Sequence, residues 1–335
     1  FLHFIRVFLT GAFHPPRRFN WVVGLCLFLM VLLSNFTGYL LPWDQLSYWA
    51  VTISMGMLEY IPVGGRWFQE LIQGGTEVGP ATLSNFYALH TAILPGLLIA
   101  LLLFHFWRVR KAGGVVVPRR PGDPMEKPKD KVPAIPNLLV RELTVALVLI
   151  ACILVFSTLF DAPLQSKANP GLSPNPTKAP WYFMGIQELL LHFHPLFSLF
   201  VIPLCMLAGL FILPYLSYPS KPAGIWMISI KGRKMALMAV VFAVIITIGG
   251  ILTHAYIIAS PSTITNTQSH ITGGLLPFVI IIAVILGFYM TMKRFYSANR
   301  NEAVQALLVF LLTAFIILTV MGIWFRGSGM KLVWP

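Results

Sequence analysis

Tyr87-Ala-Leu-His90-Thr-Ala-Ile-Leu-Pro-Gly96, continuing through Leu97 to Leu103-Phe-His105-Phe-Trp107, is an apolar run with two histidines fifteen residues apart. Fifteen residues is a little over four helical turns. In a helix, both imidazoles therefore fall on roughly one face, about 22 Å apart along the axis. That separation suits the axial ligands of two haems stacked inside a bilayer. A third histidine, His3, sits in a similar apolar stretch, Phe1-Leu-His3-Phe-Ile5. Ionisable side chains within a bilayer are costly and usually functional, so the pattern predicts transmembrane electron transfer.

The rest of the chain agrees with a membrane setting. Of its 335 residues, 57% are hydrophobic and 10% charged, which no soluble domain of ordinary composition matches. A span needs about 20 mostly apolar residues. Seven stretches qualify: Trp21–Leu41, Leu83–Trp107, Leu143–Leu159, Leu196–Tyr215, Met235–Leu252, Gly274–Met292 and Ala303–Phe325. Residues 1–10 read as the end of another span whose beginning precedes Phe1. The expected fold is an all-α, polytopic transmembrane helical bundle of eight or nine spans, with no signal peptide visible.

The formal charge of +13 at first suggests a nucleic-acid partner. Threading the spans alternately removes that reading. One side then holds 19 of the 24 Lys and Arg residues, and the other keeps Arg66, Lys167, Lys178, Arg326 and Lys331. This is the positive-inside bias. It places the basic loops in the cytoplasm and the loops 42–82, 160–195 and 253–273 outside. The basic stretch 108–131 could also meet anionic lipid, but topology accounts for it more simply. Cys26, Cys152 and Cys205 all fall within spans and no CxxC or CxxCH occurs, so packing explains them.

The chain divides into residues 1–111 with the histidine helices, a Pro- and charge-rich cytoplasmic linker at 112–137, helices over 138–219 with a Pro-rich outer loop, and further helices over 220–335. The stretch Leu46–Met57 is too short to cross and is expected along the membrane surface.

An iron held by two imidazoles needs one histidine from each of two facing helices, at matched depth. His3 and His105 both lie near the cytoplasmic end, so they form a level pair. His90 lies near the outer surface, and a level partner would precede residue 1. Gly24 and Gly38, fourteen apart in the intervening span, share a face. They would let two flat macrocycles approach the helix backbone, although small residues also serve helix packing.

Here the sequence resembles a known family. Gly38-Tyr-Leu-Leu-Pro-Trp-Asp44-Gln-Leu-Ser-Tyr-Trp-Ala50, Asn85-Phe-Tyr-Ala-Leu-His90-Thr and Phe106-Trp-Arg-Val-Arg110-Lys are similar to cytochrome b/b6, and more to the b6 branch. Residues 138–216 resemble its subunit IV half, with Ala179-Pro180-Trp181-Tyr182 in the place of the quinol-site Pro-Glu-Trp-Tyr. The last three spans match in general character only. The resemblance implies a di-haem membrane subunit of a Rieske/cytochrome b complex. Quinol would be oxidised at the outer face, and electrons would pass to a Rieske iron–sulfur protein and through two b-type haems. Protons would be released outside, and a cytochrome c-type subunit and a homodimeric complex would be partners in the cell inner membrane. His90 would serve the low-potential haem, and His3 with His105 the high-potential one. The resemblance leaves room for an additional c-type haem near the cytoplasmic side, with its attachment cysteine before residue 1.

One departure matters. Where the family has a proton-accepting carboxylate, this chain has Pro180. Quinol oxidation still needs a base, and Glu188 is the nearest acid, so Glu188 is expected to take over; otherwise it is a helix-end charge facing outside water. Tyr182 would hydrogen-bond near the quinol ring and Trp181 would pack. Ala50, where many relatives have glycine, implies poor binding of strobilurin-type inhibitors. On the cytoplasmic side, Arg110 and Glu142 are the expected cofactor and quinone-site charges, chosen from Arg108, Arg110, Lys111, Arg141 and Glu142. His192, His194, His254 and His270 read as interfacial. The competing readings are a haem-free, quinol-interacting membrane anchor and an ion or proton transporter; none of the 11 acidic residues sits at a span centre, which disfavours the transporter.

Overall fold

The structure is a computed structural model that describes residues 1–116, 132–218, 229–258 and 270–333. Most of the linker and of the loop 253–273, together with the side chain of His270, lie outside the described residues.

Helices α1 (Leu2–Leu9), α2 (Arg18–Tyr39), α3 (Gln45–Gly56), α4 (Gly65–Gln73), α5 (Pro80–Ala88) and α6 (Leu94–Lys111) form the first half. Helices α7 (Ala134–Asn137), α8 (Leu139–Leu159), α9 (Met184–Leu190), α10 (Ile202–Ile212), α11 (Ile230–Thr253), α12 (Leu276–Phe295) and α13 (Arg300–Trp324) form the second. Seven helical stretches are long and apolar enough to span: Arg18–Tyr39, Pro80–Lys111, Ala134–Leu159, Phe197–Tyr215, Ile230–Ile257, Gly273–Phe295 and Arg300–Trp324. They coincide with the seven full candidates from the sequence, and α1, with eight residues, stands where the further span was expected to end. The protein is a multi-pass membrane protein.

Four wide, π-type turns occur among the described residues, at Leu89–Ile93, Phe197–Val201, His254–Ile258 and His270–Leu275. The first, second and fourth are each followed within two residues by a proline, namely Pro95, Pro203 and Pro277. Proline has no N–H to donate to the carbonyl four residues back. The helix continues by widening locally, which keeps the span unbroken where no water could satisfy a free backbone group. The first of these turns carries His90.

Packing uses small residues where helices meet. Ala239, Ala243, Ala303 and Ala306 are fully buried between α11 and α13, with Phe288 and Phe310 beside them. Such contacts let helix backbones approach closely in a membrane. A second core, of Leu40, Tyr48, Val51, Met55, Val78 and Phe86, lies under α3. A third gathers Phe8, Phe13, Trp21, Leu25 and Leu213 between α1, α2 and the end of α10, with the Trp21 indole donating to the Leu210 carbonyl at 2.8 Å. By contrast, every residue of α8 is exposed.

The short stretch expected on the membrane surface is α3. Asp44 caps it by accepting from the Ser47 amide at 2.9 Å. The same carboxylate accepts from the Gln165 amide at 3.0 Å, and Gln45 accepts from the Asn169 amide at 2.6 Å. The Pro-rich outer loop is thereby fastened to the start of α3.

Candidate functional site

The histidines occupy two levels along α2. At the outer level, Nδ1 of His90 donates to the Ser34 carbonyl at 3.0 Å and lies 3.3 Å from the Thr37 hydroxyl. Ser34 is one turn before Gly38. A Cβ on Gly38 would stand 2.5 Å from Cε1 of His90, so only glycine leaves the imidazole a path to that carbonyl. With Nδ1 committed to the backbone, Nε2 keeps its lone pair, which is the tautomer a metal-binding imidazole needs. Gly38 therefore leaves the His90 ring room against α2.

At the other level, His3 and His105 face each other with ring centroids 6.5 Å apart and planes at 79°. Two metal–nitrogen bonds of about 2 Å each plus the two ring radii add to a closely similar span. A Cβ on Gly24 would sit 3.5 Å from Cε1 of His105, an ordinary contact. The Asn20 carbonyl, one turn before Gly24, faces the ring, yet Nδ1 of His105 is buried without a bond of good geometry. The residues fit an iron bound between two imidazoles: they oppose one another at one depth, and His105 brings a buried, unsatisfied ring nitrogen. Among the described side chains, no histidine faces His90.

Cations gather at this end of the molecule. Arg17 donates to the Ala112 and Gly114 carbonyls at 2.7 and 3.2 Å, and Arg6 to the Val116 carbonyl at 3.1 Å. Arg108 lies over the Phe19 ring, 5.4 Å from its centroid, and its Nε, like those of Arg17 and Arg18, is buried without a partner. Arg110 and Glu142, favoured from the sequence, are both exposed, on the last turn of α6 and the first turn of α8. Arg108, named with them from the sequence, is less exposed than Arg110 and meets Phe19, 89 positions away, a contact with no local signal in the sequence.

Three comparisons bear on this arrangement. A family model described as cytochrome b(N-terminal)/b6/petB matches residues 1–175. The chain belongs to this family. Over 112 residues it is 49% identical to cytochrome b6 of Acaryochloris marina (strain MBIC 11017), and equally to cytochrome b6 of Synechococcus elongatus and of Gracilaria tenuistipitata var. liui. The matches cover 33% of this chain and 52% of each relative, so the chain spans about half the length of the curated relatives it matches. A solved structure titled hyperthermophilic respiratory Complex III superposes with a TM-score of 0.59 at 23% identity, covering 92% of this chain and 74% of that one. The likeness extends the shared fold well beyond residue 175. Membership of a b-type cytochrome family implies b-type haem.

The outer-face residues form a second group. Gln187 holds the tetrad Ala179–Tyr182 in place: it accepts from the Ala179 amide at 2.7 Å and donates to the Thr177 carbonyl at 2.8 Å. Trp181 is 71% exposed. Tyr182 is half-buried, and burial pushes its phenol above the ordinary range, so it remains a hydrogen-bond donor at neutral pH. Ala50 is buried in α3. A cavity of about 2350 Å³ runs from Phe1, Tyr215 and Arg300 at the end beside His3 to Trp181, Tyr182, His192 and Trp324 at the end beside the tetrad.

Glu188 does not face outside water. It is fully buried. Its oxygens take hydrogen bonds from Nε of Arg326 at 3.2 and 3.0 Å, a closer one from Nη2, and one from Nε2 of His192 at 3.1 Å. Burial pushes the carboxyl up, but the bonds from His192 and Arg326 outweigh it and hold the group below the usual carboxylate range. Glu188 is not part of the cavity wall, whereas His192 is. Sequence reasoning counted Arg326 as a topological exception and His192 as interfacial. An arginine beyond the last span, on the cation-poor side, was the available clue.

Proposed function

We propose that the chain is the membrane cytochrome b subunit of a Rieske/cytochrome b complex, the kind represented by bc1 and b6f. In this reading quinol is oxidised at the outer end of the cavity, and electrons cross the membrane through two b-type haems, coupled to proton release outside. The observation that carries the reading is the opposition of the His3 and His105 rings at 6.5 Å across α1 and α6.

His3 and His105 would hold one haem, and His90 would supply one ligand of the other. When bound, b-type haem supplies a one-electron carrier whose potential follows its ligands and surroundings. The chain's own contribution is positional. The Ser34 carbonyl fixes the His90 tautomer, Gly38 opens the approach, and Gly24 gives His105 room. Arg108, Arg17 and Arg18, with Arg110 at the rim, provide positive charge for carboxylate groups at the cytoplasmic end. At the outer end Tyr182 donates a hydrogen bond towards the quinol ring, while Ala50, Pro180 and Trp181 shape the pocket. Glu188 supplies the fixed negative charge of the proton path, and Glu142 serves quinone at the opposite face.

We read residues 1–111 and 138–219 as haem-binding and quinol-site units joined by the 112–137 linker, with 220–335 as further spans. A Rieske protein, a cytochrome c-type subunit, a second copy of the complex and membrane lipid are the partners, in the cell inner membrane. A haem-free anchor would not need two imidazoles opposed at one depth.

The test is a dithionite-reduced minus oxidised spectrum of the purified full-length protein, with quinol-dependent reduction measured beside it. The reading predicts b-type bands that quinol also elicits. A preparation without such bands overturns it.

A further inference from the structure

The position that carries a carboxylate in the resembled quinol-site motif is Pro180 here, and Glu188 does not reach the cavity. His192 does. Its side chain is 8% exposed, and its Nε2 lies 3.1 Å from Oε1 of Glu188. Its Nδ1 is buried and has no hydrogen-bond partner. We propose that His192 is the first acceptor of a quinol hydroxyl proton in the outer cavity, oriented by Glu188, and that Arg326 from the C-terminal segment locks this pair. The proposal rests on the quinol-oxidising function above.

The tautomer follows from the network. Arg326 clasps Glu188 through Nε and Nη2 and keeps the carboxylate ionised. An ionised carboxylate only accepts. Nη2 of Arg326 also lies 3.4 Å from Nε2 of His192, but the charged carboxylate is nearer, so Nε2 carries the hydrogen and donates to it. The lone pair is then on Nδ1. This is the division of labour of a carboxylate–imidazole base: one nitrogen is held, the other accepts, and the carboxylate offsets the imidazolium that forms.

The step balances. Quinol loses two protons and two electrons to become quinone. One proton moves from one hydroxyl oxygen to Nδ1 of His192, which becomes imidazolium and then gives that proton to outside water; the proton of the other hydroxyl is released to outside water, and the two electrons go to the one-electron acceptors named above, an iron–sulfur protein and the haem system. The other groups facing His192 are known. His254, in the turn that follows α11, stands edge-on with ring centroids 4.6 Å apart, Glu188 faces it from α9 and Arg326 from the segment after α13. His194, two residues on, lies against the Tyr60 ring at 5.6 Å.

The clamp explains a use for the last helix. α9 and α13 come together at glycines: a Cβ on Gly185 would stand 2.7 Å from the Phe315 ring, and one on Gly322 would stand 2.9 Å from Cε of Met184. Beyond α13 the chain turns back, with the Gly327 amide donating to the Lys331 carbonyl at 3.0 Å and Arg326 Nη1 to the Met330 carbonyl at 3.2 Å. The Gly329 amide donates to Asn175 of the Pro-rich loop at 2.6 Å. The far end of the chain thus completes the outer site.

The experiment uses the intact complex with His192→Gln and His192→Ala, reading quinol turnover against pH together with the b-type spectrum. The expected result is turnover lower by about 100-fold or more with spectrum and dithionite reducibility unchanged. Added imidazole should partly restore His192→Ala, with a pH profile that follows the added base. Glu188→Asp keeps the charge for Arg326 but withdraws it from His192, and should move the acidic limb of the turnover profile to lower pH. Wild-type turnover in His192→Gln, or an unmoved profile in Glu188→Asp, overturns the proposal. Should the histidine variants fail to assemble, Glu188→Asp decides alone. A wild-type complex that lacks b-type bands or quinol turnover instead overturns the functional reading on which the proposal stands.

Discussion

At position 38 a Cβ would meet the His90 ring at 2.5 Å, and at position 24 one would meet His105 at 3.5 Å. The first distance is impossible without movement and the second is ordinary contact. Gly38→Val is therefore expected to displace His90 from the Ser34 carbonyl and lose the outer-level b-type component. Gly24→Ala should have the milder effect. Spectra of the two variants, normalised to protein, check this, and equal loss in both would contradict the difference in geometry. Much of this was legible in the sequence, because fifteen-residue spacing on a helix fixes face and depth. That Gly38 uncovers a carbonyl for the imidazole was not, since it depends on how α2 turns towards α6. Glu188 shows the same limit: its partner Arg326 is 138 positions away, and no local pattern announces such a pair. Buried Ala50 belongs to this scale too. Strobilurin-type compounds are expected to inhibit poorly, and low-micromolar inhibition of quinol turnover would count against its pocket role.

Among the elements, α9 and α13 depend on one ionic joint. Removing one partner of a buried pair strands the other, at a cost of about 3–5 kcal/mol. Arg326→Leu should lower the thermal unfolding midpoint in detergent and loosen the outer loop, whereas Arg66→Leu, at an exposed pair with Glu70, should change little. The pH dependence has a definite sign. Because Glu188 is held below its ordinary value of 4.5 in the folded protein, its contribution is complete above that value. It is lost as pH falls through the lowered folded value. The wild-type midpoint should fall over that acidic range while Arg326→Leu shows a shallower decline. Span positions were readable from apolar runs, and three of the four π-type turns stand beside prolines already visible in them. The fastening of the outer loop to Asp44 and Gln45 was hidden, because it joins segments more than 120 residues apart.

For the molecule as a whole, the apolar runs were enough to read a multi-pass membrane protein, and the family match places residues 1–175 among cytochrome b/b6 chains. The spans after residue 219 matched the family in general character only. In the structure the segment after their last member is joined to α9 through the Arg326–Glu188 pair. The central claim is that imidazoles hold iron at two levels of this bundle. It is tested most directly by redox titration of the b-type bands in the full-length protein, compared with His105→Leu and His90→Leu. Two components with separate midpoint potentials are predicted, the higher absent in His105→Leu and the lower absent in His90→Leu. Two undisturbed components in both variants would contradict the account.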